Sequence, residues 1–209
     1  MRKVILTGLI LISVQFLTAQ ISAVTETGDE VILYEDGTWK YLNDSIIENA
    51  EIPVNEKEFL KSKKSTFLVK SKKLNVGIWI NPKNWSFTKG IENDAFEYQF
   101  RKKGDDLYAM LISEKMQIPI ETLKGVAVEN AKSAAPDIKI IKEEYRNVNG
   151  IKVLMLQMSG TLQGLRFTYY GYYYSNSNGT IQLITYTAEN LFPNYLEDIE
   201  EFLNGLVKN

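Results

Sequence analysis

Residues 167–187 read FTYYGYYYSNSNGTIQLITYT, and six of the first eight are aromatic. In a strand, successive side chains point to opposite faces. One face would therefore carry Arg166, Thr168, Tyr170, Tyr172 and Tyr174, and the other Leu165, Phe167, Tyr169, Gly171 and Tyr173. Both faces are apolar. A strand covered on one side alternates apolar with polar residues, whereas one covered on both sides does not. The pattern predicts a central strand between two layers. The alternative reading is a groove for sugar, peptide or lipid lined by one face, with Tyr170, Tyr172 and Tyr174 as contacts. Read as a loop, 176–179 places Ser175 opposite Thr180, Tyr174 opposite Ile181, Tyr172 opposite Leu183 and Tyr170 opposite Thr185. Gly171 reads as a gap that a neighbouring ring or helix can approach closely.

Working outward, IKIIKEEYRNV and IKVLMLQMSGTL flank Asn149-Gly150, the dipeptide best suited to a two-residue hairpin turn. AFEYQFRK and DLYAMLIS flank Lys103-Gly104-Asp105 in the same way. STFLVKS and NVGIWIN read as strands, the second ending at Pro82, which cannot donate to a ladder. PIETLKGVAVENAKSAA reads as a helix, with Pro119 in the first turn, Leu123, Ala127, Ala131 and Ala134 on one face, and Pro136 closing it. NLFPNYLEDIEEFLNGL reads as a second helix with Leu191, Tyr195, Ile199, Phe202 and Leu206 on one stripe. Strands joined by short turns pair antiparallel, so the fold class is α+β.

The chain begins MRKVILTGLILISVQFLTAQISA, where Arg2 and Lys3 precede an apolar run and small residues follow. Residues 1–19 read as a secretory signal peptide, cut after Ala19 or, alternatively, Ala23. The apolar run is about 14 residues, short of the roughly 20 that span a bilayer. The expected location is exported, periplasmic or extracellular, with no integral membrane segment after cleavage. Residues 20–42 contain GDEVILYEDGTWKYL, read as a β-hairpin on a two-residue Asp36-Gly37 turn, with Tyr34 opposite Trp39 and Ile32 opposite Tyr41. Residues 43–64 are polar, contain Pro53 and read as a linker, with a short helix over about 55–61. The main domain is expected to span 65–209.

Several chemistries are excluded by composition. Without cysteine there is no disulfide, no thiolate nucleophile and no lipid-attachment cysteine. Without histidine there is no Ser-His-Asp system, His-based zinc site or histidine pH switch. Beyond residue 19 the chain holds 22 basic against 26 acidic residues, a net charge of −4, which argues against nucleic acid as a partner. A carboxylate pair could hydrolyse a glycoside without histidine or cysteine. Glu143-Glu144 and Asp105-Asp106 are adjacent and would point apart on a strand, while Glu197, Asp198, Glu200 and Glu201 lie on a helix surface. No calcium-loop or phosphate-loop motif occurs.

Residues 57–73 hold seven lysines against one acid, Glu58. Lys61, Lys63, Lys64, Lys72 and Lys73 are therefore candidate contacts for anionic lipid, lipopolysaccharide or an acidic partner, a solvated face being the simpler reading. Trp39, Tyr41 and Trp85 are further candidate contacts, and equally packing anchors.

Together, NVGIWINPKNW (75–85), the helix before Pro136, the Asn149-Gly150-Ile151 turn, the glycine-bearing strand pair and the closing helix resemble the PsbP-like α/β/α sandwich over residues 75–206. That group includes a photosystem II accessory subunit, a Ran-binding nuclear import factor and exported bacterial proteins. The resemblance implies an antiparallel sheet with helices on both faces and a binding or assembly role without catalysis; no cofactor is expected. It transfers no functional residue to this chain. The expected function is an exported, non-catalytic binding or accessory protein of the cell envelope, with a protein or envelope component as partner. The alternatives are a small-molecule, carbohydrate or lipid carrier using a tyrosine-lined cleft, and a carboxylate-pair hydrolase.

Overall fold

The computed structural model describes residues 21–24, 30–34, 37, 39–41, 51–91 and 95–208. The proposed signal peptide lies outside the described residues. The chain divides into two compact units, Met1–Glu51 and Ile52–Asn209.

In the first unit, β1 (Ile21–Val24), β2 (Glu30–Leu33) and β3 (Trp39–Tyr41) form a three-stranded sheet in that order. The β2–β3 register pairs Leu33 with Trp39 and Val31 with Tyr41, one residue away from the expected Tyr34–Trp39 and Ile32–Tyr41 pairs. The turn explains the shift. The Gly37 N–H donates to the Tyr34 carbonyl, Gly37 has φ +82°, and the last pair before the connection is Leu33–Trp39, so the connection is longer than a two-residue turn.

The second unit is built on an eight-stranded sheet. In chain order its elements are β4 (Val54–Phe59), β5 (Phe67–Lys70), β6 (Val76–Ile80), β7 (Trp85–Lys89), β8 (Tyr98–Lys102), β9 (Tyr108–Glu114), α1 (Ile120–Ala134), β10 (Lys139–Val148), β11 (Ile151–Leu162), β12 (Leu165–Asn176), β13 (Gly179–Ala188), α2 (Phe192–Leu203) and β14 (Leu206–Lys208). The large sheet runs β4-β10-β11-β12-β13-β9-β8-β7, antiparallel throughout except for the parallel β4–β10 pair. A small sheet runs β14-β6-β5.

The central hairpins follow their turn chemistry. Asn149 (φ 48°) and Gly150 (φ 79°) both take positive φ, and Val148 pairs with Ile151. β12 and β13 pair in the expected register, Tyr172 opposite Leu183, and pairing continues to Asn176–Gly179, so the loop is the two residues Ser177 and Asn178. At Gly171 the close approach comes from the adjacent strand and not from a ring or helix. A Cβ there would lie 2.9 Å from the Leu183 carbonyl oxygen and 3.2 Å from Ile184 Cα.

Both faces of β12 are covered. Tyr170, Tyr172 and Tyr174 belong to the main core with Met155, Leu183, Ile78, Phe202 and Leu206, under α2 and the small sheet. Tyr173 packs on the other face with Leu123 and Ala127 of α1. The α1 stripe ends on buried Ala135 and not on the expected Ala134, which is exposed, because the chain turns extended at Ala135 before Pro136.

Two boundaries differ from the sequence reading. Residues 52–64 are not a linker, and 55–61 is not helical: β4 is an edge strand of the main sheet and Phe59 is buried. The compact unit begins at Ile52, not at Ser65. The second helix stops at Leu203, and Leu206 is buried in β14, where it pairs with Ile78.

Candidate functional site

The turn between β5 and β6 carries Ser71, Lys72 and Lys73, and a buried carboxylate holds it in place. Glu97 is 5% exposed and accepts hydrogen bonds from Ser71 Oγ (2.7 Å), the Lys72 backbone N–H (2.5 Å) and Ser113 Oγ. Ser71 Oγ in turn accepts from the N–H groups of Lys73 (3.1 Å) and Leu74 (3.0 Å), and Lys73 Nζ donates to the Ser113 carbonyl (3.0 Å). A buried polar group is tolerated when bonded in this way. The bonds fix a lysine-bearing turn against β9.

Beside it lies an open groove of about 610 Å³ lined by Lys72, Lys73, Lys89, Gly90, Ile91, Phe96 and Glu97. Its size is that of a small-ligand site. Lys72, Lys73 and Lys89 are exposed, so the rim is basic, while Ile91 and Phe96 make the lining partly apolar. The groove can hold an anionic group against ammonium ions with an apolar portion alongside.

A second polar cluster is bonded within itself, and its Asn55 and Arg146 border an open pocket of about 520 Å³. Arg146 is 4% exposed and its guanidinium donates to Glu144 Oε1 (2.6 Å), the Tyr172 hydroxyl (3.2 Å) and Glu200 Oε1 (3.2 Å), while lying 4.3 Å from the Phe59 ring centroid. The Tyr172 hydroxyl donates onward to Asn204 Oδ1 (2.8 Å), and Asn55 Nδ2 donates to Glu144 (3.0 Å). Burial pushes the Tyr172 phenol up to about 12, against the opposing pull of Arg146. Burial would raise the Glu144 pKa, but bonds from Asn55, Arg146 and Lys142 outweigh it and hold the carboxyl below its usual range. This cluster ties β4, β10, β12 and α2 together.

Several of the acids considered for hydrolysis are paired with cations. Glu143 pairs with Lys124 (2.5 Å), Glu144 with Arg146, and Asp105 and Asp198 both with Lys102 (2.7 and 2.8 Å). Among the described residues no group of three or more acids could hold a metal.

Of the candidate contacts, Lys72 and Lys73 meet at the groove. Lys63 and Lys64 are exposed on the β4–β5 connection, away from it in sequence. Lys61 is half-buried, donating to the Ser62 and Ser65 carbonyls (3.2 Å each) with its ammonium 5.1 Å from the Trp79 ring centroid. Trp85 is buried against Phe202, ring centroids 4.3 Å apart. Tyr170, Tyr172 and Tyr174 are 3%, 0% and 9% exposed, so the three form no tyrosine-lined cleft; Tyr174 alone borders a cavity of about 10 Å³ with Leu74, Val76 and Ile181. The side chains of Trp39 and Tyr41 lie outside the described residues. Sequence reasoning missed Lys89, Ile91 and Phe96. The available signal was Lys89-Gly90-Ile91, a charge, a break and an exposed apolar residue in succession.

No protein-family model matches the chain, and no curated protein matches it significantly. Solved structures do. A cyanobacterial PsbP from Synechocystis sp. is 13% identical and matches 71% of this chain and 95% of its own at a TM-score of 0.53. LpqN of Mycobacterium tuberculosis, described as involved in cell envelope biogenesis, is 11% identical over 63% of this chain and 82% of its own, with a TM-score of 0.46. A Pseudomonas aeruginosa protein of unknown function is 12% identical over 68% and 96%, with a TM-score of 0.44. The match to cyanobacterial PsbP, with one large sheet between α1 and the layer of α2 and the small sheet, gives this chain a PsbP-like fold.

Proposed function

We propose that the protein is an exported, non-catalytic binding or accessory component of the cell envelope, which recognises an anionic partner at the groove of Lys72, Lys73 and Lys89. One observation carries this reading. Exposed Lys72 and Lys73, on a turn bonded to the buried Glu97 carboxyl, and exposed Lys89, at the end of β7, line a partly apolar concavity whose charge complements an anion. Export rests on the signal-peptide pattern of residues 1–19. Trp39 and Tyr41 in the first unit are retained as a separate possible contact, independent of the groove.

The test is capture from the native host's envelope extract by the tagged protein, compared with two double variants. Lys72→Glu with Lys89→Glu should abolish capture, and Lys63→Glu with Lys64→Glu, an equal charge change elsewhere, should leave it intact. Equal capture by all three proteins overturns the groove as the site. Loss only in a chain starting at Ile52 moves the function to the first unit.

A further inference from the structure

The face of β7 that carries Trp85, Phe87 and Lys89 runs outward from the core. Trp85 is 4% exposed, Phe87 is 39% exposed and Lys89 stands on the groove rim. Phe87 lies 5.8 Å, centroid to centroid, from Phe67 of β5, which is 46% exposed, and 6.0 Å edge-on from Tyr98. β5 and β7 are edge strands of their respective sheets, so the two phenyl rings stand where both sheets end. The turn after β5 supplies Lys72 and Lys73. Ile91, 76% exposed, completes the apolar part.

We propose that this combined surface, Phe67, Phe87 and Ile91 beside Lys72, Lys73 and Lys89, docks on an anionic lipid bilayer; the proposal rests on reading the groove as an anion site. Two physical requirements coincide here. Aromatic rings are stabilised at the boundary between headgroup and acyl chain, and lysines gain from the negative surface potential of an anionic leaflet. A bilayer satisfies both at once and needs no shape complement, which suits rings standing at an open margin. The chain is net negative overall, so a local basic patch also orients it toward a negative surface.

Flotation of the purified protein with vesicles decides the matter, using phosphatidylcholine alone and phosphatidylcholine mixed with phosphatidylglycerol, with soluble polyglutamate as the lipid-free anion. Binding is expected on the phosphatidylglycerol vesicles only and should fall as salt is added. Lys72→Ala and Lys89→Ala should each lower it about fivefold. Phe67→Ser with Phe87→Ser should lower vesicle binding while leaving polyglutamate binding unchanged. If the paired variant fails to fold, the single Phe67→Ser at the more exposed ring serves instead. Binding to polyglutamate without binding to either vesicle overturns the lipid inference and keeps the groove as an anion site. Vesicle binding unaffected by the phenylalanine changes overturns it also. Binding to neither probe removes both readings.

Discussion

Tyr172 shows how one side chain serves both the core and a polar network. Its ring is fully buried among Met155, Leu183 and Phe202, and its hydroxyl passes a hydrogen bond from Arg146 to Asn204. The two contributions separate by mutation. Tyr172→Ala removes the ring and should cost about 3–5 kcal/mol through the cavity it leaves. Tyr172→Phe keeps the packing but strands Asn204 Oδ1 and one Arg146 donor, and should cost about 1–3 kcal/mol. Urea midpoints of the two variants check this. A Tyr172→Ala midpoint equal to the parent's would contradict the buried position, and a neutral Tyr172→Phe would mean that water replaces the bond at no cost.

At the scale of elements, β4 matters more than its composition suggests. VNEKEF contains one buried residue, Phe59, and is otherwise polar, which is why it resembles a linker. It still covers the edge of β10, places Phe59 over the Arg146 guanidinium and brings Asn55 to Glu144. A chain starting at Ile52 should unfold cooperatively with a midpoint close to the parent's, because the cut falls between the two compact units. A chain starting at Ser65 loses β4 and should be destabilised by at least the roughly 3 kcal/mol expected for deleting a buried phenylalanine. It would also leave the Arg146–Glu144 pair opened to water on one side. Thermal unfolding of both chains tests the boundary, and equal stability would show that β4 contributes nothing to the core.

Across the whole molecule, charge pairing makes stability depend on acid. Arg166 and the Ser159 hydroxyl hold the Glu189 carboxyl down to about 2, from an ordinary 4.5. Backbone and side-chain bonds from Thr161 hold Asp137 below its usual value, and Glu144 is depressed by its three partners. A carboxyl whose folded pKa is depressed contributes stability that is complete above its unfolded pKa and is lost as pH falls through the folded value. The loss should therefore occur between about pH 4.5 and about pH 2, with little change from pH 7 to 5. Glu189→Gln should lower the urea midpoint at pH 7 and converge with the parent near pH 2. Because Arg166 and Glu189 are exposed, added salt should shrink the difference. A parent whose midpoint is flat down to pH 2 would contradict the pairing.

The residues alone determined what depends on neighbours along the chain. Asn149-Gly150 could be placed because positive φ at two successive residues is a local requirement, and the double-sided aromatic pattern of 165–174 marked a central strand because period-two alternation is local as well. The lack of cysteine and histidine excluded whole chemistries before any fold was known. What remained open depended on edges and concavities that exist only after distant segments meet. β4 joins in parallel, with no connecting turn to announce it, and its polar sequence reflects an edge position. The one-residue shift at Gly37 turned on the loop geometry, since Asp-Gly fits both a two-residue turn and a longer loop. The groove draws Lys72 and Lys73 from one turn, Lys89 and Ile91 from the end of β7, and Phe96 and Glu97 from the approach to β8. No spacing in the chain encodes that meeting, because it is set by where two sheets of different length stop covering each other.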